Sequence, residues 1–328
     1  MDQSGLAVAD RTPRQRTLKN RIHCSGISLH HGARVTMTLA PAEADSGIVF
    51  RRTDIAGGSA TIAASWRNVA EMPYCTALSN EHGIQVATVE HLLAALAGAG
   101  VDNLLVEING PELPIMDGSA WPFLFLIECA GTIEQPAPRR AIEILKRVVV
   151  GDEERSATLL PGRGLQLDFA IDYALPAIGH QEASVRLSPD VFKSALSRAR
   201  TYGFLHEVDD LRAAGLARGA SLDNAVVVNG AEIMNGDGLR YRDEFVRHKL
   251  VDAIGDLYLA GAPIVGRFLG WRSGHKHNHR LLRTLLADET AWRYVPVEGE
   301  EAVEPAFYRA GAEGKPERGK PERQAAVG

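Results

Sequence analysis

The segment Arg247 to Asp256 reads RHKLVDAIGD, and three of its side chains can do chemistry together. On a helix, His248 and Asp252 stand four residues apart and project from one face, about 6 Å apart, with Asp256 one turn further along. An imidazole and a carboxylate so placed can share one divalent ion. An arbitrary His and Asp at this spacing more often form an exposed, solvated pair. What separates this segment is density. His248, Lys249, Asp252 and Asp256 interrupt an otherwise apolar run that includes Leu250, Val251, Ala253 and Ile254, so they must share one narrow face. Catalytic zinc takes three protein ligands and keeps one position open, so a further ligand has to come from elsewhere.

A second segment, ATVEHLLAALAG, places Glu90 and His91 inside an apolar run. A lone histidine there is usually a hydrogen-bonded core residue. Together with His248 and Asp252, His91 can complete a His/His/Asp set, in which the neighbouring Glu90 can serve as general base for water. The spacing is not that of HExxH. His206-Glu207 imitates the start of that motif but lacks its second histidine, so it reads as a polar loop. A third cluster, Ser273 to His279 (SGHKHNH), puts His275, His277 and His279 within five residues, which suits a second metal site or a hydrated basic turn equally.

These groups need elements to hold them. Ala87 to Gly98 has leucines at helical spacing, is expected to stop at glycine, and is followed by a strand-like Asn103 to Ile108. The order recurs in a long helical pattern from Glu244 to Ala260 and a strand-like Pro263 to Leu269. Alternating stretches such as Ala33 to Leu39 predict half-buried strands. Two α+β halves follow, residues 16–135 and 136–300, joined by a proline-bearing linker, Glu134 to Arg140. No internal repeat is visible by identity. Residues 1–15 and most of 301–328, where GKPER occurs twice in succession, are expected to be disordered. Gly314, Gly319 and Lys320 mimic a phosphate loop, but Pro321 replaces its Ser or Thr.

The 328 residues carry 36 Lys+Arg against 41 Asp+Glu, a formal charge of -5 that would gather neither nucleic acid nor an anionic membrane. Cys24, Cys75 and Cys129 are too few and too scattered for a disulfide framework or a zinc knuckle. With no apolar leader and no run of about 18 apolar residues, a cytoplasmic protein without stable membrane insertion is expected.

RTLKN, GISLHHG, TVEHLLAALAGAGVDN, NGPELPIMDGSA, SRARTYGF, GLRYRDEFVRHKLVDAIGDLYLAGAPIVG and SGHKHN occur in this order between about Gln15 and Val297. In these motifs the chain resembles the UDP-3-O-acyl-N-acetylglucosamine deacetylases, the zinc amidases of lipid A biosynthesis. The resemblance implies two similar domains, each a two-layer sandwich of sheet and helices, with the active site between them. It implies one zinc per chain, with Fe2+ as the alternative, bound by His91, His248 and Asp252, and Glu90 as general base. It further implies that Lys249 meets the substrate's phosphate side and that Thr201 polarises the amide carbonyl. His275 would stabilise the oxyanion or protonate the leaving amine, ordered by Asp256, and Asp117 would support the site. Tyr173 would stack on the uracil ring, and residues 205–228 would form a passage for the acyl chain. A monomer acting on UDP-3-O-acyl-GlcNAc is expected.

Of the three histidines, His275 alone matches a motif, so His277 and His279 are expected to be dispensable. SGHKHNH is more basic than the family pattern, and Asn224 stands where relatives often have Cys. Two other functions compete: a catalytically silent UDP-lipid binding protein, and a hydrolase of the same fold acting on another amide. Loss of Glu90, His91, His248 or Asp252 would favour the silent reading, and all four are present. Tyr173 and Lys249, which suit a uridine diphosphate, weigh against the other amide.

Overall fold

Alternation of apolar and polar residues builds the first sheet. Arg34–Pro41 buries Val35, Met37 and Leu39 and turns Arg34 and Thr36 outward, as its period of two requires. It pairs antiparallel with Ile22–Ile27 on one side and with Leu104–Ile108 on the other. Leu104–Ile108 runs parallel to Ile48–Arg52, which pairs antiparallel with Thr61–Ala63. The computed structural model describes residues 13–57 and 60–297, and the backbone of 307–309.

Among these residues lie six α-helices: α1 (Glu90–Ala99), α2 (Trp121–Ala130), α3 (Pro189–Val191), α4 (Val208–Ala213), α5 (Glu244–Tyr258) and α6 (His275–Ala287). The chain forms four strands of the first sheet, then α1, then inserts Leu104–Ile108 between the second and third strands, and continues into α2. The second half does the same. Val148–Gly151, Ser156–Leu160, Leu165–Asp172 and His180–Arg186 are followed by α5, after which Ile264–Trp271 enters the sheet centre, antiparallel to the second strand and parallel to the third. Then comes α6. The chain is thus an α+β fold of two similar halves, and the repeat that identity does not reveal is plain in the topology.

Leu92, Leu93 and Leu96 of α1 and Leu250, Val251 and Ile254 of α5 are buried in one continuous apolar core. The two helices pack on each other, and Gly255 sets how closely. A Cβ there would stand 2.0 Å from the Glu90 carbonyl oxygen. Gly255→Ala is therefore expected to push α5 off α1, costing ~1–3 kcal/mol as overpacking does. An unchanged urea midpoint would show that the contact yields without cost.

The expected stop of α1 at Gly98 is corrected. Gly98 is interior because the Phe192 ring lies against it, 2.2 Å from where a Cβ would be, and the helix ends at Gly100 in the left-handed conformation (φ 67°). The expected linker is corrected too. Thr132–Pro138 is a strand, antiparallel to Arg14–Leu18. A two-stranded ribbon needs hydrogen bonds along one edge only, so Pro136 and Pro138 are tolerated. The expected disorder of 1–15 is corrected at its end, since Arg14 and Gln15 lie in this strand, and residues 1–12 lie outside the described residues. At the other end Phe307–Arg309 adds to His180–Arg186, while the GKPER repeats and the phosphate-loop mimic lie outside the described residues.

Candidate active site

Glu90 and His91 open α1. Just before them Thr88 adopts φ 57°, unusual for a β-branched residue, and its hydroxyl donates to the Glu112 carboxylate at 2.9 Å. Glu112 also accepts the backbone N–H of His30 and of His31. This anchor holds the turn from which α1 starts. His248 and Asp252, on α5, face it across the Gly255 contact.

His91, His248 and Asp252 are buried, each with a donor atom within 4.8 Å of the others'. Asp252 Oδ1 lies 3.3 Å from His248 Nε2 and 3.7 Å from His91 Nε2. His248 Nδ1 donates to the Ala199 carbonyl at 3.1 Å, which leaves the Nε2 lone pair facing the carboxylate. Burial drives the His248 pKa down to about 3, against the attraction of Asp252, so the ring is neutral. Two lone pairs aimed at each other in a buried space repel, and a divalent cation between them turns the repulsion into coordination. The donors therefore fit a metal ion. Asp252 stays ionised despite its burial because two cations lie beside it, Lys249 Nζ at 2.8 Å and the charged His275 Nε2 at 3.9 Å.

Around the three donors stand the groups that can move protons. Glu90 Oε2 accepts the Thr76 backbone N–H at 3.1 Å, and Oε1 lies 3.8 Å from His275 Nε2. Burial raises the Glu90 pKa, which strengthens it as a base. His275 Nδ1 donates to Asp256 Oδ2 at 2.8 Å. Burial opposes the charge on His275, but Asp256, Asp252 and Glu90 outweigh it and push its pKa up to about 9. Asp256, fully buried, is held well below the usual carboxylate range because His275 and His279 overcome its own desolvation.

A cleft of about 870 Å³ adjoins this centre, with Tyr173, Lys249, Arg272 and His275 in its wall. Arg155, Lys276 and Arg283 add positive charge against Glu71 and Asp172, a lining suited to an anionic ligand. Lys249 is turned to Asp252, and Tyr173 shares a 3.0 Å hydrogen bond with the Tyr202 hydroxyl. Thr201 is fixed by its backbone, its N–H donating to Gly118 O at 2.7 Å and its carbonyl accepting from Val226 N–H. Asp117 braces that neighbourhood through Arg240 and Ser119. Asn224 closes a turn onto Ser221 and Gly219, and its carbonyl lies where a Cβ on Gly118 would be.

Sequence reasoning missed three groups at this centre. Thr76 links Glu90 and Asp256, Asn278 donates to Asp256 at 2.9 Å, and Tyr202 packs edge-on against His248. Tyr202 and Asn278 lie within SRARTYGF and SGHKHN without being singled out there, and Thr76 lies outside every quoted motif. The hydrated-turn reading of Ser273 to His279 is also corrected: His275 opens α6, and His279, one helical turn on, is buried with Nε2 3.0 Å from Thr76 Oγ1. His277 faces Arg155 and Asp152 instead.

Residues 15–287 match the family model described as UDP-3-O-acyl N-acetylglycosamine deacetylase. Among relatives named UDP-3-O-acyl-N-acetylglucosamine deacetylase, that of Chromohalobacter salexigens is 49% identical, covering 91% of this chain and 99% of its own. Those of Pasteurella multocida and Teredinibacter turnerae are 46% and 48% identical, covering 90% and 88% of this chain and 97% and 96% of their own. Matched along almost its whole described length, the chain belongs to the UDP-3-O-acyl-N-acetylglucosamine deacetylase family.

Proposed function

We propose that the protein hydrolyses the N-acetyl group of UDP-3-O-acyl-N-acetylglucosamine, releasing acetate and a free amine, in lipid A biosynthesis. The observation that carries this reading is a buried carboxylate, Glu90, and a charged imidazole, His275, facing each other beside a three-donor metal site. Two imidazoles and one carboxylate suit zinc, one per chain, with ferrous iron as the alternative. When bound, the ion supplies Lewis acidity, activating water and polarising the acetamide carbonyl. A monomer is the proposed acting form. No helix among the described residues is long and apolar enough to cross a membrane, in keeping with a cytoplasmic enzyme.

The protein groups divide the proton traffic. Glu90, held at Oε2 by Thr76 N–H, offers Oε1 to take a proton from water as it attacks. His275, charged and ordered by Asp256, stabilises the developing oxyanion or gives its proton to the departing nitrogen, without which an amine is a poor leaving group. Thr201 donates to the carbonyl oxygen from the other side. Lys249 and the basic cleft receive the diphosphate, and Tyr173 stacks on the uracil.

Catalysis that needs charged His275 falls as pH rises through its pKa. A cation on the neighbouring donors repels the imidazolium, so the limb lies below the value of about 9 that the carboxylates alone produce. His275→Ala is expected to lower turnover by ~10²-fold or more and to erase this alkaline limb, with metal content intact. His277→Ala, in the cleft wall beside Arg155 and Asp152 and outside the hydrogen bonds around Asp256, is expected to match the parent. A His277→Ala loss equal to that of His275→Ala would reassign the acid.

The acyl passage is assigned to residues 205–228, between the paired strands Tyr202–Phe204 and Val226–Asn229. This segment is tied to the first half by Arg218 N–H to His30 O and Gly219 N–H to Leu29 O, and it exposes Leu205 (42%) and Leu222 (49%). Bulky residues at Gly215 or Ala217 are poor probes, because φ there is 81° and 51° and a side chain adds strain whatever the ligand. Leu205→Ser and Leu222→Ser are the better ones, expected to raise KM for a long-chain substrate roughly tenfold, as loss of a leucine contact does, and to spare a short-chain one. Equal effects on both would move the passage elsewhere.

Incubating metal-loaded protein with UDP-3-O-acyl-GlcNAc and measuring acetate and free amine tests the reading. Release abolished by a chelator and restored by zinc is expected. Tight binding of the nucleotide sugar without release would establish the silent alternative.

A further inference from the structure

Asp256 serves two histidines, and the reaction proposed above employs one of them. Its Oδ2 accepts from His275 Nδ1 at 2.8 Å and from Asn278 Nδ2 at 2.9 Å. Its Oδ1 accepts the Thr76 hydroxyl at 2.5 Å. That bond engages the only proton Thr76 Oγ1 has. His279 Nε2 approaches the same hydroxyl oxygen at 3.0 Å, so His279 must carry a hydrogen on Nε2 and donate it. A directed chain results, from His279 Nε2–H to Thr76 Oγ1–H to Asp256 Oδ1. Thr76 also gives its backbone N–H to Glu90 Oε2 at 3.1 Å. One residue thus holds both carboxylates between which His275 stands.

We propose that His279 is a positioning residue for the deacetylation, acting through Thr76 to fix the orientation of Asp256 and Glu90 and so the aim of His275 Nε2. Packing alone does not account for an imidazole here. α6 buries Leu281, Leu282 and Leu285 on its apolar side, and a leucine at 279 would satisfy packing without the desolvation that a buried polar ring costs. The ring is placed for its donor. His275 and His279 are four apart on α6, their rings stacked with centroids 6.2 Å apart, so one helical turn delivers both to one carboxylate. The proposal rests on the deacetylase reading for its effect on turnover and on the hydrogen bonds alone for its spectroscopic effect.

The test uses the full-length, metal-loaded protein and the variants His279→Leu and His279→Gln, with kcat, KM, bound metal and the NMR signal of the His275 Nδ1–H proton as readouts. His279→Leu is expected to lower kcat by ~10–100-fold, the usual effect of losing a group that orients an active-site residue, with KM and metal unchanged. The His275 signal should shift or broaden. The Gln side chain can place an N–H near the position of Nε2, so His279→Gln should restore most of both effects. Unaltered kcat and signal in His279→Leu, or a Gln variant as impaired as the Leu variant, would overturn the proposal. Thr76→Val keeps it testable should His279→Leu fail to fold. With the valine in place, adding His279→Ala should change nothing more, whereas an additive loss would show that His279 does not act through Thr76. If the parent released no acetate, the function would fall, and the His275 signal would still decide whether the chain of hydrogen bonds exists.

Discussion

Glu90→Gln is expected to keep its metal and its substrate affinity and to lose ~10²–10⁴-fold in turnover, the range for a missing general base. The substitution keeps shape and an acceptor for the Thr76 N–H, so the local structure survives. What disappears is the basic oxygen at Oε1, which burial had strengthened. Glu90 lies beside His91 in sequence, yet it is outside the converging donor set, and that separates the two outcomes. Metal analysis and steady-state kinetics on one preparation decide it. Loss of metal from Glu90→Gln would make Glu90 a ligand and leave the attacking water without a base.

His91→Ala, His248→Ala and Asp252→Ala are each expected to lose bound metal and, with it, nearly all turnover. Three protein donors are the usual number for a catalytic zinc site, and removing one leaves two and a buried hole. The variants should differ in their side effects. His248→Ala frees the Ala199 carbonyl, and His91→Ala removes a ring that packs edge-on against His248 at 4.9 Å. Asp252→Ala strands the Lys249 ammonium, whose charge is sustained against burial chiefly by that carboxylate. The aspartate variant should therefore also be the least stable without metal, since breaking a buried pair costs more than losing a neutral ligand. Full stoichiometric metal in all three purified proteins would remove the assignment.

The chemical groups of the proposed site are legible along the chain, because they are carried at helical spacing within short segments. His248 and Asp252 had to share a face once Glu244 to Ala260 was helical, and the apolar residues around them left that face narrow. The alternation in Arg34–Pro41 likewise fixed which of its side chains turn inward. Which faces meet is a matter of packing between distant segments. That α1 crosses α5 at Gly255, bringing Glu90 and His91 to His248 and Asp252, depends on a missing Cβ and a backbone oxygen far apart in sequence. The repeated topology was invisible because four strands, a helix and an inserted strand can be built from unrelated residues of the same polarity pattern. Glu134 to Arg140 looked like a linker because its prolines are local, whereas its strand partner, Arg14–Leu18, is not. His279 looked hydrated for the same reason. HKHNH is polar when read along the chain, and what makes its last histidine a buried donor is a threonine before α1 and a carboxylate on α5, brought to it by packing.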